Sequence, residues 1–137
     1  MSIETSIGLL RTVSEPVNTA EENLELYFKQ LEAEIQQHDN GVGLAGVQIG
    51  LLKRVAIMRP NMKDNSKIIR LWNPEIIDKE VLVIHPEGCL SFPGLTKSVE
   101  RFTNVVLKNG DGRVYALEGF EAIIAQHEID HLNGLTI

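Results

Sequence analysis

One cysteine, Cys89, is all the thiol this 137-residue chain carries. No intramolecular disulfide can staple the fold, which fits a reducing compartment. Positive charge is also scarce: 13 Lys and Arg face 19 Asp and Glu, a net charge of -6 with no basic cluster. That balance argues against a surface tracking nucleic-acid phosphates. Long apolar runs are missing, and residues 1–10 have neither the basic head nor the apolar core of a secretory signal. A soluble protein of the cytoplasm is the expectation. What remains, 43% hydrophobic and 23% charged residues without repeats, is the composition of a globular domain. Residues 1–137 read as one domain, long enough to bury a core unaided.

Along the chain, residues 1–17 read as an irregular lead-in kept extended by Pro16, with no functional role expected. Thr19 and Glu22 have capping-box spacing, and Leu24, Tyr27, Phe28, Leu31 and Ile35 recur at helical period. An amphipathic helix is predicted there, with Glu21, Glu22, Glu25, Glu32 and Glu34 on its solvated side and Asn40-Gly41 at its left-handed end. Residues 41–50, GVGLAGVQIG, lack the Gly-Lys-Ser/Thr of a phosphate loop. Their glycines permit backbone to approach a ligand, and Gln48 offers a polar contact for a substrate carbonyl. Strands are expected over 54–58, 68–72 and 80–84, with a connection over 59–66 and turns at Asn73-Pro74 and Asp78, forming an antiparallel sheet. A hairpin over 103–108 and 113–117 turns at Asn109-Gly110-Asp111-Gly112. Residues 86–94 read as an ordered loop, and a closing helix runs from about 118 to 132, ended by Asn133-Gly134.

That last helix carries His127-Glu128-Ile129-Asp130-His131, an H-E-x-x-H pattern. Residues four apart share a helix face, so both imidazoles can reach one metal, with Glu128 as general base for an activated water. A helix with solvent-facing or core histidines carries the same letters, so a third ligand is needed. None of the six residues after His131 can serve, and the ligand must lie upstream. Cys89 is the only soft candidate; His85, Glu87 and His38 are less suited, and His38 is expected on the surface. A thiolate, two imidazoles and a water make an open tetrahedral site.

Three segments, GVGLAGVQIG, EGCLS and QHEIDHLNG, occur in that order. Together the chain resembles the peptide deformylases, metalloenzymes that remove the formyl group from the initiating methionine of nascent proteins. The resemblance implies an α+β fold, with antiparallel sheets packed around a central metal-binding helix and an N-terminal amphipathic helix. It implies Cys89, His127 and His131 as metal ligands and Glu128 as general base and acid. Gln48 and the backbone N–H of Leu90 would line the oxyanion site, and Gly43 would contact the substrate backbone. An apolar pocket for the methionine side chain would draw on Gly43, Leu90, Ile124, Ala125 and the stem of Glu128, although core packing explains Ile124 and Ala125 equally well. Asp130 either orients a ligand or meets solvent, and Arg101 is a candidate partner for Glu87.

The donor set points to zinc by coordination chemistry, whereas the resemblance implies ferrous iron in the cell, with zinc or nickel able to substitute. Partners implied are N-formylmethionyl nascent peptides, with no membrane or direct nucleic-acid contact, and a monomer is expected. Two departures stand out. Gly46 replaces an alanine common in the family, a change expected to loosen the substrate loop. The sequence stops at Ile137, whereas longer bacterial members continue into an extension that in some is associated with ribosome docking; a compact organellar or virus-encoded form is one explanation. Two alternatives remain: a metal-dependent endopeptidase, disfavoured by the missing downstream ligand, and a non-catalytic formyl-peptide-binding module. A Cys89 nucleophile with a histidine base is disfavoured by the ligand-pair spacing of the histidines.

Overall fold

The structure, a computed structural model, describes residues 2–61 and 67–137. The elements in chain order are helix α1 (Ile7–Leu10), helix α2 (Leu24–Ile35), strand β1 (Gly43–Ala45), a 3-10 turn (Gly46–Ile49), β2 (Val55–Met58), β3 (Ile69–Trp72), β4 (Glu75–Cys89), β5 (Phe92–Lys108), β6 (Val114–Glu118) and helix α3 (Phe120–Leu132). Two antiparallel sheets result, ordered β1-β2-β3 and β4-β5-β6. The fold is α+β, as the resemblance implies.

β2 is apolar at every position because both of its faces are covered. Ala56 and Met58 join the core shared with α3, Val105, Leu107 and Leu117. Val55 and Ile57 join a second core under α2, with Phe28, Leu31 and Ile35. α3 has nine buried residues among its 13, the mark of a central helix rather than an amphipathic surface one. Gln126 fastens it. β6 runs out at Glu118, opposite Asn104, and Gln126 then takes up the backbone of Phe102 in β5, accepting its N–H (2.8 Å) and donating to its carbonyl (2.7 Å).

Several expectations are corrected. The lead-in contains α1, and α2 begins at Leu24, two residues beyond the proposed capping box. Asn23 caps α2 by accepting from the Leu26 N–H (3.1 Å), while Glu22 is occupied with the Asn18 N–H and the Tyr27 hydroxyl. Glu34 is buried rather than solvated, 3.3 Å from His38 Nε2, and His38 is only part-exposed. Asn40-Gly41 adopts no left-handed conformation. The carbonyls beyond α2 are gathered instead by buried Arg59, which donates to Ile35, His38 and Gly41. Such a clamp comes from far along the chain, so no local signal announces it.

The glycine-rich stretch holds β1 and the 3-10 turn. Gly46 does not loosen it: a Cβ there would lie 2.7 Å from the Leu51 carbonyl and 3.0 Å from that of Lys53, so this turn is packed on backbone. The expected loop over 86–94 is mostly strand. β4 runs to Cys89, Leu90 and Ser91 make the turn, and β5 starts at Phe92. Pro86 is tolerated because β4 is an edge strand. A register shift between Gly88 and Cys89 absorbs the residues around Gly94, whose φ of +80° suits glycine. The connection expected over 59–66 lies partly outside the described residues.

Candidate metal centre

Alternation along β4 puts His85, Glu87 and Cys89 on one face, toward α3. On α3 the four-residue spacing brings His127 and His131 to the same point. Cys89 Sγ lies 3.5 Å from His131 Nε2, and the two histidine Nε2 atoms are 3.2 Å apart. Ligand atoms on all three residues fall within 4.8 Å of one another. A tetrahedral centre with metal–nitrogen bonds of about 2.05 Å and metal–sulfur bonds of about 2.3 Å has edges of roughly 3.3 and 3.6 Å. The thiol and imidazoles therefore stand at coordination spacing, and His85, Glu87 and His38 are not part of this cluster.

Glu87 instead holds a candidate ligand. Its Oε1 is 2.8 Å from His127 Nδ1. A carboxylate only accepts, so Nδ1 carries the hydrogen and Nε2 faces Cys89 and His131. Arg101 grips the same carboxylate with two bonds, Nε to Oε2 (2.7 Å) and Nη2 to Oε1 (2.8 Å), and donates from Nη1 to Asp130 (2.5 Å). The Glu87–Arg101 pairing expected from sequence is thus present, and Asp130 acts on the chain of bonds at one remove. Burial of Glu87 raises its carboxyl, but the bonds from His127 and Arg101 outweigh this and hold it at about 2.

The histidines are made unequal. Burial pulls His127 down, yet hydrogen bonds to Cys89 and Glu87 raise it to about 10, so this point favours positive charge. Burial and the neighbouring His127 push His131 down to about 3, leaving a neutral imidazole. Its Nδ1 is buried without a hydrogen-bond partner among the described residues. Glu128 is 2% exposed and burial lifts its carboxyl to about 7. Its Oε1 also lacks a partner among the described residues, a buried acceptor beside the donor triangle. The donor set and its spacing fit a divalent cation.

Gln48 is buried next to Cys89. Its Oε1 accepts from the Ala45 N–H (2.9 Å), and its Nε2 reaches Ser91 Oγ (3.2 Å) and Cys89 Sγ (3.4 Å). Ser91, 1% exposed, is a polar residue that the sequence reading missed.

A cavity of about 750 Å3 opens over this centre, bordered by Gly43, Gln48, Cys89, Leu90, His127 and Glu128. His85, Phe120, Ile123 and Ile124 form another wall. Ile124 is therefore at the cavity as well as in the core, whereas Ala125 is wholly buried and packs in the core away from it. His85 is weighed in the sequence only as a ligand, and Phe120 and Ile123 not as cavity residues, though strand alternation from Cys89 and helical spacing back from His127 lead to them. Ile3 and Thr5 of the lead-in also border the cavity, where the Glu4 N–H donates to the Gln48 carbonyl (2.5 Å).

An α+β domain that sets one thiol, two imidazoles and a buried glutamate around one point has the donor set of the metal-dependent hydrolases. The comparisons narrow this class. The sequence profile of the polypeptide deformylase family matches residues 4–137, and the chain belongs to that family. It is 44% identical over 102 residues to the peptide deformylase of Aquifex aeolicus, covering 70% of this chain and 60% of that protein. It is 40% identical over 131 residues to the peptide deformylase of Acetivibrio thermocellus, covering 93% of this chain and 74% of that one. The crystal structure of PDF from the Vibrio parahaemolyticus bacteriophage VP16T, in complex with actinonin, superposes with a TM-score of 0.82 at 34% identity, covering 100% of both chains. Among the described residues no helix is long and apolar enough to cross a membrane.

Proposed function

We propose that residues 1–137 act as one catalytic domain that hydrolyses the formyl amide of N-formylmethionyl peptides, releasing formate and a free amino terminus. The observation that carries this reading is the Cys89–His127–His131 triangle, with edges of 3.5 and 3.2 Å, beside the buried carboxylate of Glu128. A cation held by these three side chains would polarise the formyl carbonyl and lower the pKa of a water. Glu128 takes a proton from the attacking water and passes it to the amine as the formyl C–N bond breaks. A carboxyl held at about 7 suits both transfers at neutral pH. Gln48 and the Leu90 N–H, bordering the same cavity, donate to the oxygen on which charge develops. Glu87 keeps His127 in the ligating tautomer.

The cavity wall of His85, Phe120, Ile123 and Ile124 receives the methionine side chain, with Gly43 and Leu90 at its rim. Fe2+ is the cation we assign in the cell, with Zn2+ or Ni2+ as substitutes; the protein works as a monomer in the cytoplasm on nascent peptides. The test is a titration of chelator-treated protein with Fe2+ under anaerobic conditions, following formate from formyl-Met-Ala-Ser. Activity rising to a plateau at one equivalent supports the reading. A plateau with no formate, but with bound peptide, would make the chain a formyl-peptide-binding module, and cleavage of internal peptide bonds would make it an endopeptidase.

A further inference from the structure

Resting on the reading of Glu128 as the proton carrier, we propose that Gly43 is a positioning residue for that carboxylate: the hydrogen at position 43 is what lets Glu128 stand where it does. Gly43 lies in β1, paired with Met58, and its φ is outside the left-handed region. Any residue can adopt that backbone, so conformation does not require glycine. Space does. A Cβ at position 43 would sit 2.9 Å from Glu128 Cδ, 3.0 Å from its Cγ and closer still to Oε2.

The three nearest atoms met are all in the Glu128 side chain, so the collision falls first on that side chain. The carboxylate has a fixed base. Gln126, two residues earlier, locks α3 to Phe102, and His127, next to it, is tied to Glu87. With the helix held, a methyl at position 43 is accommodated by swinging the carboxylate aside. Displacements near 1 Å of a reacting group cost about a hundredfold in rate. Gly43 thus shapes the reaction without donating or accepting a bond, a role distinct from contacting the peptide with its backbone.

The test is a double-substitution cycle of Gly43→Ala and Glu128→Asp, with Glu128→Gln as a separate arm, all loaded with Co2+. Asp retains the carboxylate but is one methylene shorter, so it withdraws the oxygen that comes closest to the methyl and eases the collision. Three quantities are read: kcat and KM for formyl-Met-Ala-Ser, the visible Co2+ spectrum, and the unfolding midpoint of chelated protein. We expect Gly43→Ala to lower kcat on the order of a hundredfold, with KM changed by less than about threefold and an unaltered Co2+ spectrum. In the Glu128→Asp background the same alanine should cost less than about tenfold, and the unfolding midpoints should show the same rescue.

An equal cost of the alanine in both backgrounds would overturn the proposal, as would a rise in KM alone, which marks a peptide contact. Should Gly43→Ala fail to fold, folding of the double variant supports the proposal and its failure contradicts it. Full kcat in Glu128→Gln would remove the proton-carrier reading and the proposal with it. Normal loss in Glu128→Gln with full kcat in Gly43→Ala would remove the proposal alone.

Discussion

Arg101 holds Glu87 through two hydrogen bonds of 2.7 and 2.8 Å, and both side chains are nearly excluded from solvent, at 5% and 6%. The pair is the base from which Glu87 addresses His127, so β5 and α3 are coupled at the candidate metal centre through one carboxylate. Asp130 closes the arrangement from the next turn of the helix.

Glu87→Gln keeps the shape and removes the charge that favours the His127 Nδ1–H. Metal affinity, read by competition with a chromophoric chelator, should fall roughly 10- to 100-fold. Unchanged affinity would show that Glu87 holds the fold without tuning the ligand.

Burial decides which arginine matters for stability. Arg101→Met leaves a buried carboxylate short of its main partner and should cost about 3–5 kcal/mol in urea unfolding. Arg70 makes more charged bonds, to Glu25 and Glu32, but its side chain is 34% exposed. Arg70→Met should cost no more than about 1 kcal/mol. Equal losses would contradict this assignment.

Glu128 should destabilise the chelated protein at neutral and alkaline pH. Its carboxyl is held up at about 7 in the fold against an ordinary 4.5, so the folded chain binds this proton more tightly than the unfolded one. Stability from this group is full below 4.5 and declines as pH rises through 7, by up to about 3 kcal/mol. Chelated Glu128→Gln should therefore unfold at a higher temperature than the native sequence at pH 8, with the advantage vanishing near pH 4. A pH-independent difference would remove burial as the cause.

The chemistry was more legible in the sequence than the architecture around it. His127, Glu128 and His131 announce themselves by helical spacing, and Cys89 by being alone. The strands with alternating or apolar runs, β2, β3 and β6, were read within a residue or two of their bounds. β4 and β5 were under-read because Pro86, Gly88, Pro93 and Gly94 look like loop residues; an edge strand and a register shift accommodate them. The left-handed end foreseen at Asn40-Gly41 gave way to Arg59, and the surface position of Glu34 to burial, because both depend on tertiary partners that local propensity cannot register. The reason for glycine at position 43 is likewise a contact between β1 and α3, 85 residues apart in sequence, and only the fold displays it.

The central claim is that Glu128 moves the proton beside a cation held by Cys89, His127 and His131. Its most direct test is single-turnover formate release from formyl-Met-Ala-Ser by metal-loaded native protein and Glu128→Gln at equal metal occupancy. Glu128→Gln should retain its metal and fold but lose about 10²- to 10⁴-fold in the chemical step, and chelation should abolish release in the native protein. Undiminished release from Glu128→Gln, or from chelated native protein, would contradict the claim.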